Sequence, residues 1–326
     1  MKKYFVFIII GVSISFFSCD RYDLYSISLW YKTPPRIIAV DNVANGYIHI
    51  SDDNGATWKQ VGPQGMWSSV TSSSDGMKLA ATTSGSFIYT STDGGNTWTP
   101  RDTPRAWSSI ASSSDGTKLV AVVFSGRAYH SSDSGATWIQ DTPANETWIQ
   151  TAISSDGSRA VGIDNTNNTW ITLFDGVSWN NSGTLSATIT HTSIASSADG
   201  WRLALGGITA SSVVSISLDR GATWSTPSVF PSNFPMYIAS SSDGIKLAVA
   251  QQTGYIYTST NGGINWTQNV SSGILNWSSI ASSQDGTRFA AGVNGGYIYT
   301  SNDGGATWTE RTGAGLRTWK NIIITK

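Results

Sequence analysis

The pattern Ser-x-Asp-x-Gly-x-x-Trp returns along this chain at nearly even spacing, and a chain built that way has few folds open to it. It reads SDDNGATW at 51–58, STDGGNTW at 91–98 and SSDSGATW at 131–138. It weakens to LFDGVSW at 173–179, then returns as SLDRGATW at 217–224, STNGGINW at 259–266 and SNDGGATW at 301–308. The third position falls on Asp53, Asp93, Asp133, Asp175, Asp219, Asn261 and Asp303, in steps of 40 to 44 residues. A second turn, Ser-Ser-x-Asp-Gly with small variations, interleaves with it, its aspartates at 75, 115, 156, 199, 243 and 285. Between the two lie short apolar runs such as Phe87-Ile88-Tyr89, Tyr255-Ile256-Tyr257 and Tyr297-Ile298-Tyr299. Each period therefore reads as four short strands, the length of one propeller blade.

The turns have a local chemistry. Aspartate accepts backbone N–H bonds across a tight turn, glycine takes positive φ without a Cβ clash, and the closing tryptophan covers the hairpin. Twelve of the 21 acids are turn residues on this reading. The expected fold is all-β: a seven-bladed β-propeller over 36–326, made of four-stranded antiparallel blades. Complete units begin at Trp67, Trp107, Trp148, His191, Pro235 and Trp277. The last blade combines a C-terminal first strand (319–324) with N-terminal strands (36–40 and 47–50), which closes the ring and removes an exposed edge.

The boxes resemble the Asp-box (bacterial neuraminidase) repeat shared by sialidases, xyloglucan-active glycoside hydrolases, sortilin-type receptors and the photosystem II assembly-factor family. The resemblance covers about residues 36–326. Its pattern SSDGxKLAA…GYIYTSxDGGxTW is most similar to assembly-factor-like, sortilin-like and uncharacterised bacterial repeat lipoproteins. It implies the propeller; those families differ in their chemistry.

The N-terminus reads as an export signal. Lys2 and Lys3 precede an apolar stretch, Tyr4 to Phe17, that is short for a membrane span. Phe16-Phe17-Ser18-Cys19 resembles a bacterial lipobox, and Cys19 is the only cysteine. The expectation is a lipoprotein signal peptide over 1–18, a lipidated Cys19, a tether over 19–35 and a place in the bacterial cell envelope. An ordinary signal peptide is the alternative. Without Lys2 and Lys3, 18 basic residues face 21 acidic ones, a net charge of −3, which gives no electrostatic basis for nucleic-acid binding.

Catalytic signals are few. Sialidase-like sites would bring an Arg-Ile-Pro, which Pro35-Arg36-Ile37-Ile38 half matches, three arginines for the substrate carboxylate and a Tyr/Glu pair; the chain has only two glutamates, Glu146 and Glu310. Glycoside hydrolysis ordinarily needs two opposed carboxylates, for which Asp141 with Glu146 is the least poor candidate. The three histidines (49, 130 and 191) are dispersed, and no cofactor or metal is expected.

Both turn types belong to one face of a propeller, so binding is expected on the opposite face, built from 59–66, 99–106, 139–147, 180–190, 225–234, 267–276 and 309–318. The residue eight before each Asp-Gly aspartate (Trp67, Trp107, Trp148, His191, Pro235 and Trp277, with Trp319 by analogy) should stand where a first strand enters the channel. Such residues are either wedges between blades or an aromatic platform, with Arg101, Arg105, Arg127, Arg311 and Arg317 around it. The function expected is a monomeric, non-enzymatic binding or assembly module for a protein partner or extracellular glycan, touching the membrane only through its lipid. A glycoside hydrolase is the alternative.

Overall fold

A computed structural model describes residues 35–325 apart from 142–145, 167, 174–178, 185–188 and 231–233, with backbone only for some strand residues and for 6–10 and 13–17. Cys19, the tether before Pro35 and Asp175 lie outside the described residues. Two compact units divide at Pro34 and Pro35. In the first, Val6–Ile10 pairs antiparallel with Ser13–Phe17. No helix among the described residues is long and apolar enough to cross a membrane.

The second unit is a β-propeller of four-stranded antiparallel sheets. Two stand apart: Trp148–Ile153, Arg159–Asp164, Asn168–Leu173 and Asn180–Thr184, then Thr190–Ser196, Leu203–Ile208, Ser212–Ser217 and Ser225–Phe230. The other repeats have the same internal order but are linked edge to edge into a six-stranded and a twelve-stranded sheet. The C-terminal strand Arg317–Ile324 pairs antiparallel with Ile37–Asp41, which continues through Gly46–Ser51 to Lys59–Gly65.

The segments 59–66 and 99–106, expected as loops, are largely strand. Lys59–Gly65 pairs with Gly46–Ser51, and Thr99–Ser112 runs unbroken from the outer position of one repeat to the inner position of the next. Each crossing carries a bulge instead of a separate loop: 62–64 and 102–104 fall between paired residues, with Gly62 (φ +74°) and Asp102 (φ +57°) in the left-handed region.

The core is a series of layers between neighbouring sheets. In one layer Ile38, Val40, Ile48 and Ile50 meet Trp67, Val70, Leu79 and Ala81 of the following repeat. The register of six inner strands shifts just after the tryptophan or histidine, between Trp67 and Ser69, Trp107 and Ser109, Trp148 and Gln150, His191 and Ser193, Trp277 and Ser279, and Trp319 and Asn321, whereas Met236–Ser240 pairs without a shift. Such a bulge bends the strand and re-aims side chains. The tryptophan enters the layer, while the next two residues border an axial cavity.

The turns are closed hydrogen-bond units. At 51–58, Ser51 Oγ donates to Asp53 Oδ1 (2.8 Å), Thr57 N donates to the same oxygen (2.8 Å), and Gly55 N donates to Ser51 Oγ (2.7 Å). Trp58 Nε1 then donates to Gly55 O (3.0 Å). Gly55 has φ +85°, a conformation a Cβ would strain. Hydrogen bonds from Thr97 and Ser91 hold the Asp93 carboxyl down at about 2.

Candidate functional site

The inner tryptophans do not form a platform. Trp67, Trp107, Trp148, Trp277 and Trp319 are each at most 1 % exposed, so no face of any ring is open to a ligand. Each packs edge-on or tilted against a third-strand aromatic and the tryptophan of its own turn, as Trp277 does with Tyr299 (5.3 Å) and Trp308 (6.2 Å). Burying an indole stabilises by several kcal/mol, and the bulge gives the ring a dry layer to fill. Trp67, Trp277 and Trp319 donate Nε1 to Gly46 O, Gly254 O and Gly296 O.

His191 replaces the tryptophan in one repeat and is equally buried. Neither of its ring nitrogens has a hydrogen-bond partner among the described residues, and burial lowers its pKa from 6.5 to about 4. In the next repeat, where Pro235 stands, Phe230 from the preceding outer strand takes the aromatic role. Its ring lies 4.9 Å from Tyr257 and 5.6 Å from Trp266. Nothing in the repeat pattern marks Phe230; its place follows from the path of the crossing segment.

The predicted arginines are scattered. Arg101 and Arg311 donate Nε to Thr90 and Thr300 on their own sheets. Arg105 pairs with Asp102 and lies 4.6 Å from the Tyr129 ring centre. The Arg127 side chain makes no hydrogen bond or ion pair among the described residues.

Arg317 differs, because it stands where two clefts meet. One, of about 480 Å³, is lined by His49, Trp58, Gln60, the 312–315 turn and Arg317. The other, of about 330 Å³, is lined by Asp41, Val43, Gly295, Leu316, Arg317 and Thr318. Arg317 Nη1 donates to Asp41 Oδ2 (3.1 Å), its Nε donates to Ala314 O (2.9 Å), and His49 Nε2 lies 3.4 Å from Asp41 Oδ2. Tyr47 N donates to Asp41 Oδ1 (2.7 Å). Burial pushes the Asp41 pKa up, but the hydrogen bonds from His49 and Tyr47 and the positive charge of Arg317 bring it below the usual value. Asp41 is therefore a buried carboxylate that fixes Arg317 in place. The sequence offered only His49 standing where other repeats have tyrosine, and Asp41 between turn motifs.

The acids considered for hydrolysis are otherwise employed. Asp141 is 2 % exposed, bonds His130 Nδ1, and accepts from Trp179 Nε1 (2.9 Å), so it is spent on packing rather than open to a glycoside. Glu146 sits in a backbone bridge with Gly126; burial and then the negative charge of Asp164 raise its pKa. Among the described residues no group of three or more His, Cys, Asp or Glu could hold a metal ion.

Solved structures share this fold. YCF48 from Cyanidioschyzon merolae aligns over 80% of this chain and 90% of its own, at 16% identity and TM-score 0.63. A functionally unknown protein from Desulfotomaculum acetoxidans aligns over 90% and 99%, at 13% identity and TM-score 0.68. The GH74 xyloglucanase from Xanthomonas campestris aligns over 90% of this chain at 12% identity and TM-score 0.68, but this chain spans only 52% of that enzyme. No curated protein matches. The model of the DUF6242 β-propeller domain matches residues 42–276, and the chain belongs to that family.

Proposed function

We propose that this protein is a non-enzymatic binding module whose variable face, around Arg317, takes a protein partner through an extended peptide segment. The observation that carries the reading is the pair of clefts meeting at Arg317, with Val43 and Leu316 exposed along the smaller one (40 % and 64 %). Apolar side chains held open beside a positioned guanidinium suit a peptide, whose backbone and side chains supply both acceptors and apolar surface. Phe124 and Ile274 extend the apolar character on the loops of the same face (56 % and 62 % exposed). The turn face also exposes apolar side chains, but Trp201 there lies under Arg220 at 3.6 Å. A solved structure of YCF48 bound to a D1 peptide lends a precedent for the fold alone.

The same proposal reads the propeller as seven-bladed, closed by Arg317–Ile324 on Ile37–Asp41. Support comes from the inner strands bordering the axial cavity in succession and from the pairing of the two ends of the unit. It also places the protein at a bacterial cell envelope, lipidated at Cys19. That part rests on Lys2, Lys3 and the lipobox-like Phe16–Cys19.

The test uses Val43→Asp and Leu316→Asp, both surface changes. Photo-crosslinkers at Phe124 and Ile274 in envelope preparations should capture one defined protein, and the double variant should lose it at least tenfold while keeping its melting temperature. Equal capture by the double variant would remove the site. Turnover of a glycoside panel, abolished by Glu146→Gln, would replace the reading with hydrolysis.

A further inference from the structure

The axial cavity carries chemistry that neither the repeat nor the proposed face uses. It is bordered by residues of Trp67–Ser72, Thr99–Ser112, Trp148–Ile153, Thr190–Ser196, Met236–Ser240, Leu275–Ser282 and Arg317–Ile324, and its volume is about 100 Å³. Around it runs a girdle in which a side chain on one inner strand accepts the backbone N–H of a neighbouring one. Asn321 Oδ1 takes Val70 N (2.9 Å), Ser69 Oγ takes Ile110 N (3.3 Å), and Ser109 Oγ takes Thr151 N (3.2 Å). Gln150 Oε1 takes Ile194 N (2.9 Å), Ser193 Oγ takes Ile238 N (3.1 Å), and Ser279 Oγ takes Ile322 N (3.0 Å).

This girdle has a direction. Each side chain spends an acceptor on the backbone, which leaves its own donor for the cavity: four hydroxyl protons and two amide NH2 groups. None of these donors has an acceptor among the described residues, although Ser69, Ser109, Ser193 and Ser279 are all buried. Buried donors without acceptors are costly, so the four serine hydroxyls, joined by the partly exposed amides of Gln150 and Asn321, favour a ligand rich in acceptors. Lys320 adds a cation to the same lining, with no ion pair or hydrogen bond among the described residues, and no carboxylate borders the cavity. Water reaches Lys320, yet protein surrounds it on most sides, and that burial lowers its pKa. Water can accept from such a lining, but it brings no charge to answer Lys320. A tetrahedral oxyanion, sulfate with no donor or phosphate with one or two P–OH groups, brings mostly acceptors and the countercharge that Lys320 lacks.

We propose that the axial cavity is a binding site for a small oxyanion of the phosphate or sulfate class, held by the Lys320 ammonium and the inward donors of the girdle.

Equilibrium dialysis of the full-length protein in detergent with radiolabelled orthophosphate, at fixed ionic strength and neutral pH, tests this directly. The expected result is saturable binding of one phosphate per chain, displaced by sulfate and at least tenfold more weakly by acetate or chloride. Lys320→Met should weaken it at least tenfold, Lys320→Arg should largely keep it, and Ser109→Ala with Ser279→Ala should weaken it several-fold. Should Lys320→Met fail to fold, Lys320→Gln carries the same comparison. Binding that does not saturate, or is unchanged in the Lys320 variant, overturns the site. Displacement by acetate as strong as by sulfate overturns the assignment to tetrahedral oxyanions.

Discussion

At the scale of single residues, His191 shows what the repeat position demands. Where five repeats seat an indole, this one seats an imidazole whose nitrogens find no partner among the described residues, and burial lowers its pKa to about 4 from an ordinary 6.5. An unfolded chain binds a proton there below about pH 6.5 that the folded chain refuses until about pH 4. The stability contributed by the neutral ring is therefore complete above pH 6.5 and lost as pH falls through that window. Its ceiling is about 3 kcal/mol at one pKa unit per 1.4 kcal/mol. Urea unfolding at pH 7, 5.5 and 4.5 should show the wild type losing ground against His191→Leu. A gap between the two that stays constant with pH would show that His191 does not titrate on unfolding. The aspartates of the turns lose their protons lower, Asp115 and Asp303 at about 2, so their contribution falls away in a separate, more acidic window.

At the scale of the element, the turn depends on the acceptor oxygens its third residue offers. Asp133 accepts from Ser131 Oγ, Thr137 N and Thr137 Oγ1, using both carboxylate oxygens. Asn261 has one acceptor oxygen and takes Ser259 Oγ (3.0 Å) and Asn265 N (2.9 Å). Asn265 stands there where five of the other turns have threonine, and the Asn261 amide has no second oxygen for a hydroxyl. Asp133→Ala is expected to cost about 1–2 kcal/mol, and Asp133→Asn less than half as much. Equal losses in chemical denaturation would mean that charge, not hydrogen-bond geometry, holds the turn. This element was legible because it is local: all its partners lie within eight residues. The girdle was not, because Ser69 and Ile110, or Gln150 and Ile194, sit more than 40 residues apart and read as ordinary strand serines and amides.

At the scale of the molecule, the C-terminal strand matters more than its length suggests. Arg317–Ile324 supplies the partner of Ile37–Asp41, the arginine between the two clefts, and the lysine of the axial cavity. Its removal would expose the ladder groups of Ile37–Asp41 and uncover a buried layer, the condition in which sheet edges recruit other chains. A chain ending at 316 should elute as aggregates in size-exclusion chromatography and lose a cooperative melt. A truncated chain melting within about 3 °C of the full one would show that the pairing contributes little.

The sequence by itself determined the all-β propeller, since a four-strand period punctuated by self-sufficient turns leaves no other way to bury its alternating residues. It left open whether Trp67 and its equivalents face a ligand or a neighbouring sheet. Only the tertiary structure decided that, through a one-residue bulge that seats each indole in the layer and turns the next residues to the axis. It also decided that Asp141 is spent on His130 and Trp179, that Phe230 fills the gap left at Pro235, and that Asp41 fixes Arg317. The reason is range: hydrogen bonds within a turn are written in neighbouring letters, whereas burial depends on what the chain brings back from forty or more residues away.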